Sequence, residues 1–401
     1  MFKRIAALFV VLFTYSCASV SSIPDVSKDD LTRVGLNINT ALDINVVELD
    51  PGIFASPERN ETAGIWPELR RTESRLFANE LKNSFEETQR FGDVNIVTSR
   101  KYLSDIVING KILESNGEDL ILEITAADST GNKFINKKKY SHRTNEFFFR
   151  DLRNKGKDPF HPLYNSIVLD VMKYLQKQDL NRIQKVTELR FATDLNSSYF
   201  KDSLVKNRRN IYEPNFIPDD SDPTFIKAKN VKIQDNIFKK EMQQTYGVFL
   251  DGLEEGYDEW RKAAFAVSKQ QREAETSANA ALVAGILIGI AGAAASADSY
   301  NSNNYSYDYG QDIAGTVAMA AGAALIYQST QDRAEANRLS NTIDEVSKSF
   351  DAEVAPKVIE FEGITLTVEG SISDQFEEWQ RIIKTYYDKS LSEGRDIVIK
   401  S

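Results

Sequence analysis

WPELRRTESRLFANELKNSFEETQRFG (Trp66–Gly92), followed almost at once by VNIVTS (Val94–Ser99), decides how the first part of the chain is read. Pro67 suits a first helical turn and Gly92 suits a stop. Between them Leu69, Leu76, Phe77, Leu81 and Phe85 fall largely on one helical face, the spacing of a helix that covers a sheet. Upstream, INVVELD (Ile44–Asp50) has the character of a strand. Downstream, SDIVINGKILES, DLILEITAADS and NKFINKKKYSH are further strand candidates, with DSTG (Asp128–Gly131) composed like a hairpin turn. DPFHPLYNSIVLDVMKYLQKQ reads as a closing amphipathic helix. The expectation is a β-α-β-β-β-β-α unit over residues 41–180.

The chain has 401 residues, enough for two or three domains with cores of their own. Its formal charge is −10, with no basic block, which argues against nucleic acid as a partner. Two histidines, His142 and His161, and one cysteine, Cys17, exclude a disulfide framework, a cysteine-rich zinc site and a cysteine nucleophile in the mature fold. No Walker loop, GxGxxG after a strand, HExxH or GxSxG occurs, so neither catalytic residues nor a metal or cofactor is expected. His161, at the start of a predicted helix, is read as a packing or capping residue. The acid pairs Glu254–Glu255 and Glu377–Glu378 are read as solvated helix faces.

The chain opens with MFKRIAALFVVLFTYSCAS: Lys3 and Arg4, an apolar run from Ile5 to Phe13, then small and polar residues. That pattern predicts a secretory signal peptide over residues 1–16, too short to span a bilayer permanently. Thr-Tyr-Ser before Cys17 resembles the lipobox of bacterial lipoproteins, with Thr14 where the family usually has Leu. The resemblance implies that Cys17 becomes the lipidated first residue. Ala18 after it implies transfer to the outer membrane. Residues 17–40 are then a tether. The element order from 41 to 180, carried by RRTESRLFANELKNSFEETQRFGDVNIV and a later strand with AADSTGNKF, resembles the periplasmic domain of curli-secretion and penicillin-binding-protein-activator lipoproteins. In those families the domain is a docking and assembly unit. Any α+β sandwich with similar patterning is the alternative.

From 188 to 228 the pattern is irregular, with Pro214, Pro218 and Pro223 opposing one long helix. Tyr246, Leu250, Leu253, Tyr257, Trp260, Ala264 and Val267 then follow a 4-3-4-3-4-3 spacing, and Ala336, Leu339, Ile343, Val346 and Phe350 a 3-4-3-4 spacing. Two such stripes predict an antiparallel helical hairpin over 229–355. The same helices packing on the body of the protein is the other reading. Between the stripes lie two Gly/Ala-rich apolar segments, 278–297 and 313–327, joined by DSYNSNNYSYDYGQD. The first is twenty residues, about 30 Å as a helix, matching a hydrocarbon core of about 30 Å.

Gly285 and Gly289 form GxxxG, and Ala314, Ala318 and Gly322 continue a small-residue stripe, the spacing that lets helix backbones approach closely in lipid. The pair resembles the glycine-zipper hairpins of bacterial envelope lipoproteins. Gly285, Gly289, Gly292, Gly315, Ala318 and Gly322 are the candidate membrane or oligomer contacts. Three arrangements fit: through a membrane, between subunits of a ring or channel, or against the chain's own body. The loop between the segments carries Asp298, Asp308 and Asp312 and no basic residue, whereas short cytoplasmic loops carry excess Lys and Arg. That disfavours the inner membrane and leaves the periplasmic face of the outer membrane or self-assembly.

A last unit, 356–390, has VIEF, then ITLTVEG with Ile364, Leu366 and Val368 on one face, then a helix striped by Phe376, Trp379, Ile382, Ile383 and Tyr386. It resembles half of a BON-type periplasmic lipid-binding domain. The fold expected is therefore α+β: an N-terminal mixed α/β domain, a long helical hairpin with an apolar tip, and a small C-terminal β-β-α unit. The function expected is a non-enzymatic, outer-membrane-anchored periplasmic lipoprotein. It would act as a scaffold or assembly factor, with membrane lipid, an envelope protein or copies of itself as partners. The alternatives are a subunit of a secretion or transport channel and, more distantly, a cell-wall hydrolase.

Overall fold

The structure, a computed structural model, describes residues 26, 28–34, 41–251, 254–275, 356–361 and 364–393. It has an N-terminal mixed α/β region, long helices and a small C-terminal β-β-α unit. The five strands are β1 (Ile44–Val47), β2 (Val94–Val97), β3 (Ile106–Ser115), β4 (Asp119–Asp128) and β5 (Lys133–Arg143). They form one sheet in the order β2-β1-β3-β4-β5, parallel around β1 and antiparallel from β3 onward.

All four residues of β1 are buried, as a short central strand covered on both faces requires. β4 alternates instead, with Leu120, Leu122, Ile124 and Ala126 in the core and their neighbours half-exposed. Two helices, α3 (Pro67–Glu86) and α5 (His161–Leu175), pack on each other and cover one face of the sheet. Leu69, Phe77, Leu81 and Phe85 of the predicted stripe are buried, and Leu76 is half-buried. The α3 helix stops at Glu86, six residues before Gly92. Its end is closed by the Thr88 hydroxyl, which donates to the Phe85 carbonyl, and by Gln89 in the left-handed region at φ 54°. Gly92 serves a different purpose: a Cβ there would lie 2.4 Å from Oδ1 of Asp43.

Three short helices complete this part. Residues Lys28–Arg33 (α1) lie within the stretch read as a tether, yet Leu31 is buried and the Val26 carbonyl accepts from Asn165 of α5. The others are α2 (Pro57–Thr62) and α4 (Glu146–Arg150). A further helix, α6 (Leu180–Leu195), runs past Glu188, where the sequence reading begins an irregular connector. Thr187 interrupts its apolar stripe. The hydroxyl is accommodated in the core by donating to Asp105, so a polar letter occupies a buried position. The connector that follows contains a small hairpin, β6 (Leu204–Lys206) with β7 (Tyr212–Pro214).

α7 (Pro223–Asp251) runs along the β2 edge, and α8 (Glu254–Glu275) continues over the far end of the sheet. The first heptad stripe faces the protein's own body. Tyr246, Leu250, Tyr257, Trp260 and Ala264 are buried, and the Tyr246 hydroxyl donates to Glu48 at 2.6 Å. The returning stripe, both apolar segments and residues 1–25 lie outside the described residues. Among the described residues, no helix is long and apolar enough to cross a membrane.

The C-terminal unit comprises β8 (Lys357–Phe361), β9 (Ile364–Val368) and α9 (Ile372–Glu393). It docks on α7. Trp379 stacks on Phe238 with ring centroids 4.9 Å apart, and Phe376 meets Phe238 edge-on. Tyr387, one position beyond the predicted Tyr386, is the deeply buried tyrosine of α9.

Candidate functional site

The residues singled out by sequence, Cys17, Gly285, Gly289, Gly292, Gly315, Ala318 and Gly322, all lie outside the described residues. What the structure supplies is the seat of α8, the helix that precedes the first apolar segment in the chain. α8 ends at Glu275, and the apolar segment begins at Ala278.

The seat of α8 is the turn between β3 and β4. Asn116 closes this turn by accepting from the backbone of Glu118 and Asp119 with its side-chain oxygen. Gly117 sits at φ +83°, and an added Cβ would meet the backbone nitrogen of Phe265 at 2.6 Å and the carbonyl of Arg261 at 2.8 Å. Only glycine lets the turn touch the backbone of α8. Ser268 donates to the Asn116 carbonyl at 2.7 Å, and Arg272 places two nitrogens on the buried carboxylate of Glu118, the closer at 2.8 Å.

Below the turn lies a buried polar cluster drawn from four segments. Oε1 of Glu73 on α3 accepts from Ser115 on β3 at 2.6 Å and from Tyr257 on α8 at 3.0 Å. Arg70 lies 3.6 Å from its other oxygen. Burial raises the Glu73 carboxyl above the usual carboxylate range, an effect that Arg70 and the two hydroxyl donors offset only in part. One turn further along α8, Arg261 is enclosed. It donates to Asp158 at 3.0 Å and to Asp258 at 2.5 Å. Asp158 also accepts from the Phe160 backbone at 2.6 Å, which sets the entry into α5. One guanidinium thus ties α8 to the start of α5.

Asp158 also lines an open cleft of about 890 Å³. Both histidines of the chain meet here, His142 from the end of β5 and His161 from the first turn of α5, with Glu80, Glu87, Arg143 and Lys157 around them. Nε2 of His161 is 3.7 Å from Glu87, and the His142 ring sits edge-on to Phe160. The lining of the cleft is mixed in charge. Among the described residues, no group of three His, Cys, Asp or Glu is arranged to hold a metal ion. Glu377 and Glu378 lie on an outer face of α9, paired with Lys101 and Arg381.

Sequence reasoning missed the cluster of Glu73, Ser115, Tyr257, Arg261 and Asp158, and the meeting of the two histidines. These residues are far apart in the chain and share no periodicity. Compared with known proteins, the chain matches no family model, no curated protein and no solved structure.

Proposed function

We propose that this chain is a non-enzymatic, lipid-anchored envelope protein whose α/β body is a rigid base for the apolar segments that follow α8. The observation that carries the reading is the mount of α8. A helix leading straight into an uncharged stretch is pinned by an enclosed arginine between two aspartates and by a glycine turn pressed against its backbone. Such a mount transmits orientation, which a scaffold holding a membrane-directed element needs and a loosely tethered domain does not. The leader and Cys17 support placement at the periplasmic face of the outer membrane, and the body then presents its surfaces to an envelope partner.

Fractionation of the source cells tests this. The wild-type chain is expected with the outer membrane, and Cys17→Ser is expected to shift part of it to the soluble periplasm while the apolar segments retain the rest. Recovery of the mature wild-type protein wholly in the soluble fraction overturns the reading.

A further inference from the structure

The segment EFFFRDLRNKGK, residues 146–157, joins β5 to α5, and its apolar residues divide sharply. Phe149 turns inward onto Phe265 of α8, ring centroids 4.9 Å apart, and Phe148 packs edge-on to Phe149. Phe147 is 77% exposed and Leu152 is 88% exposed, the two most exposed large hydrophobic side chains among the described residues. Both stand on a segment bonded to itself. The Asn145 side chain accepts from the Phe148 backbone, Asp151 accepts from the Arg153 backbone, and Asn154 donates to the Phe148 carbonyl. The outward aim of Phe147 and Leu152 is therefore built in.

Charge gives the segment a partner. It carries four bases, Arg150, Arg153, Lys155 and Lys157, against two acids, in a chain whose formal charge is −10. The side chains of Arg150 and Arg153 are largely exposed, even though each contacts an acid within the segment. Position completes the argument. Lys269 of α8 bonds Glu146 at 2.7 Å, which ties the segment to the helix that precedes the first apolar segment in the chain.

We propose that residues 146–157 are an interfacial membrane contact selective for anionic phospholipid. Phe147 and Leu152 enter the boundary of the hydrocarbon, and Arg150, Arg153, Lys155 and Lys157 lie among the headgroup phosphates. A protein partner would call for a contiguous apolar centre depleted of charge. Here isolated apolar tips alternate with cations, an arrangement that a bilayer surface accommodates and a packed protein interface does not. The proposal rests on the reading that the chain leaving α8 meets a membrane, and it assigns this segment the role of setting how close the body lies to the surface.

The test uses the full mature chain with Cys17→Ser, so that acyl chains do not dominate, sedimented with vesicles of phosphatidylcholine alone or with phosphatidylglycerol added. The paired change Phe147→Ser and Leu152→Ser is expected to weaken binding to the anionic vesicles roughly tenfold. Arg150→Glu with Arg153→Glu is expected to do the same there and to leave binding to neutral vesicles unchanged. Circular dichroism and Tm should match the parent, since all four side chains are exposed. If the variants bind anionic vesicles as the parent does, this inference is overturned while the proposed function stands, the contact lying in the apolar segments instead. A parent that binds no vesicle overturns this inference together with the membrane-directed role of the apolar segments, and leaves the Cys17 anchor to the fractionation of the wild-type chain. Loss of a dimer in the serine variant, with vesicle binding intact, overturns it in favour of a second copy of the chain.

Discussion

α7 and α8 are successive helices with only residues 252 and 253 between them, yet the protein holds them by different means. α7 is gripped by aromatic stacking and enclosed polar contacts. Phe238 stacks on Trp379, and Asp235 accepts from the indole of Trp379 and the amide of Gln380 while pairing with Lys239 at 2.6 Å. Lys239 is fully enclosed and also donates to the Leu103 carbonyl, so the buried pair is hydrogen-bonded beyond its own ionic contact. α8 buries Tyr257, Trp260 and Phe265, the last against Phe149, and adds a chain of carboxylate–cation pairs, from enclosed Arg261 to half-exposed Arg272 and Lys269. Stacked rings and an enclosed pair such as Asp235–Lys239 respond little to salt, whereas the half-exposed pairs of Arg272 and Lys269 respond to it. The difference teaches that the C-terminal unit is a fixed part of the body, and that the helix leading to the apolar segments is the one whose hold the surroundings can modulate.

The largest effect expected is on the α7 side. Trp379→Ala removes the stack on Phe238 and one partner of Asp235, and should cost about 3–5 kcal/mol in urea unfolding. A loss under about 1 kcal/mol would mean that the C-terminal unit is not integral to the fold. Next comes the ionic mount. Arg261→Met leaves Asp158 enclosed without its cation, a change of about 3 kcal/mol at most sites of this kind. Amide exchange should quicken along α8 while α7 stays protected. Equal quickening in both helices would break the contrast.

The smallest effect is a pH dependence. Because burial raises the folded carboxyl of Glu73, the unfolded chain releases that proton at lower pH than the folded chain does. Stability from this site is therefore lost as pH rises from the ordinary carboxylate range through the raised folded value, and is constant beyond it. Glu73→Gln keeps an oxygen for Ser115 and Tyr257 and removes the slope. The Tm of the variant relative to wild type should grow between mildly acidic and neutral pH. A difference that does not change with pH would take Glu73 out of the account.

Much of the framework could be read from one-dimensional pattern. The alternation in DLILEITAAD shows which side of β4 is core, and Phe77, Leu81 and Phe85 show which side of α3 meets the sheet. Phe376, Trp379 and Ile383 did the same for α9. The heptad spacing around Tyr257 showed that a face would be buried but carried no information on what would bury it. A helix meets a second helix or a sheet with the same periodicity. Helix α6 was hidden because Thr187 occupies an apolar slot, and the site at Glu73 because its members come from α3, β3, the loop before α5 and α8. Segment 146–157 had a visible signal, three phenylalanines running into bases, but exposure is set by the fold and not by composition.

Gln243 of α7 accepts from the Ile96 backbone at 2.8 Å and donates to the same residue's carbonyl at 3.1 Å, so a single amide takes both backbone groups of Ile96 on the outer edge of β2, along which α7 packs. The sheet is thereby one-ended: among the described residues, β5 is the only margin of it left for another strand. A body of this kind can join edge to edge with one neighbour, closing a pair, but cannot be continued on both sides into a ribbon. That asymmetry would hold any association through the sheet to two bodies.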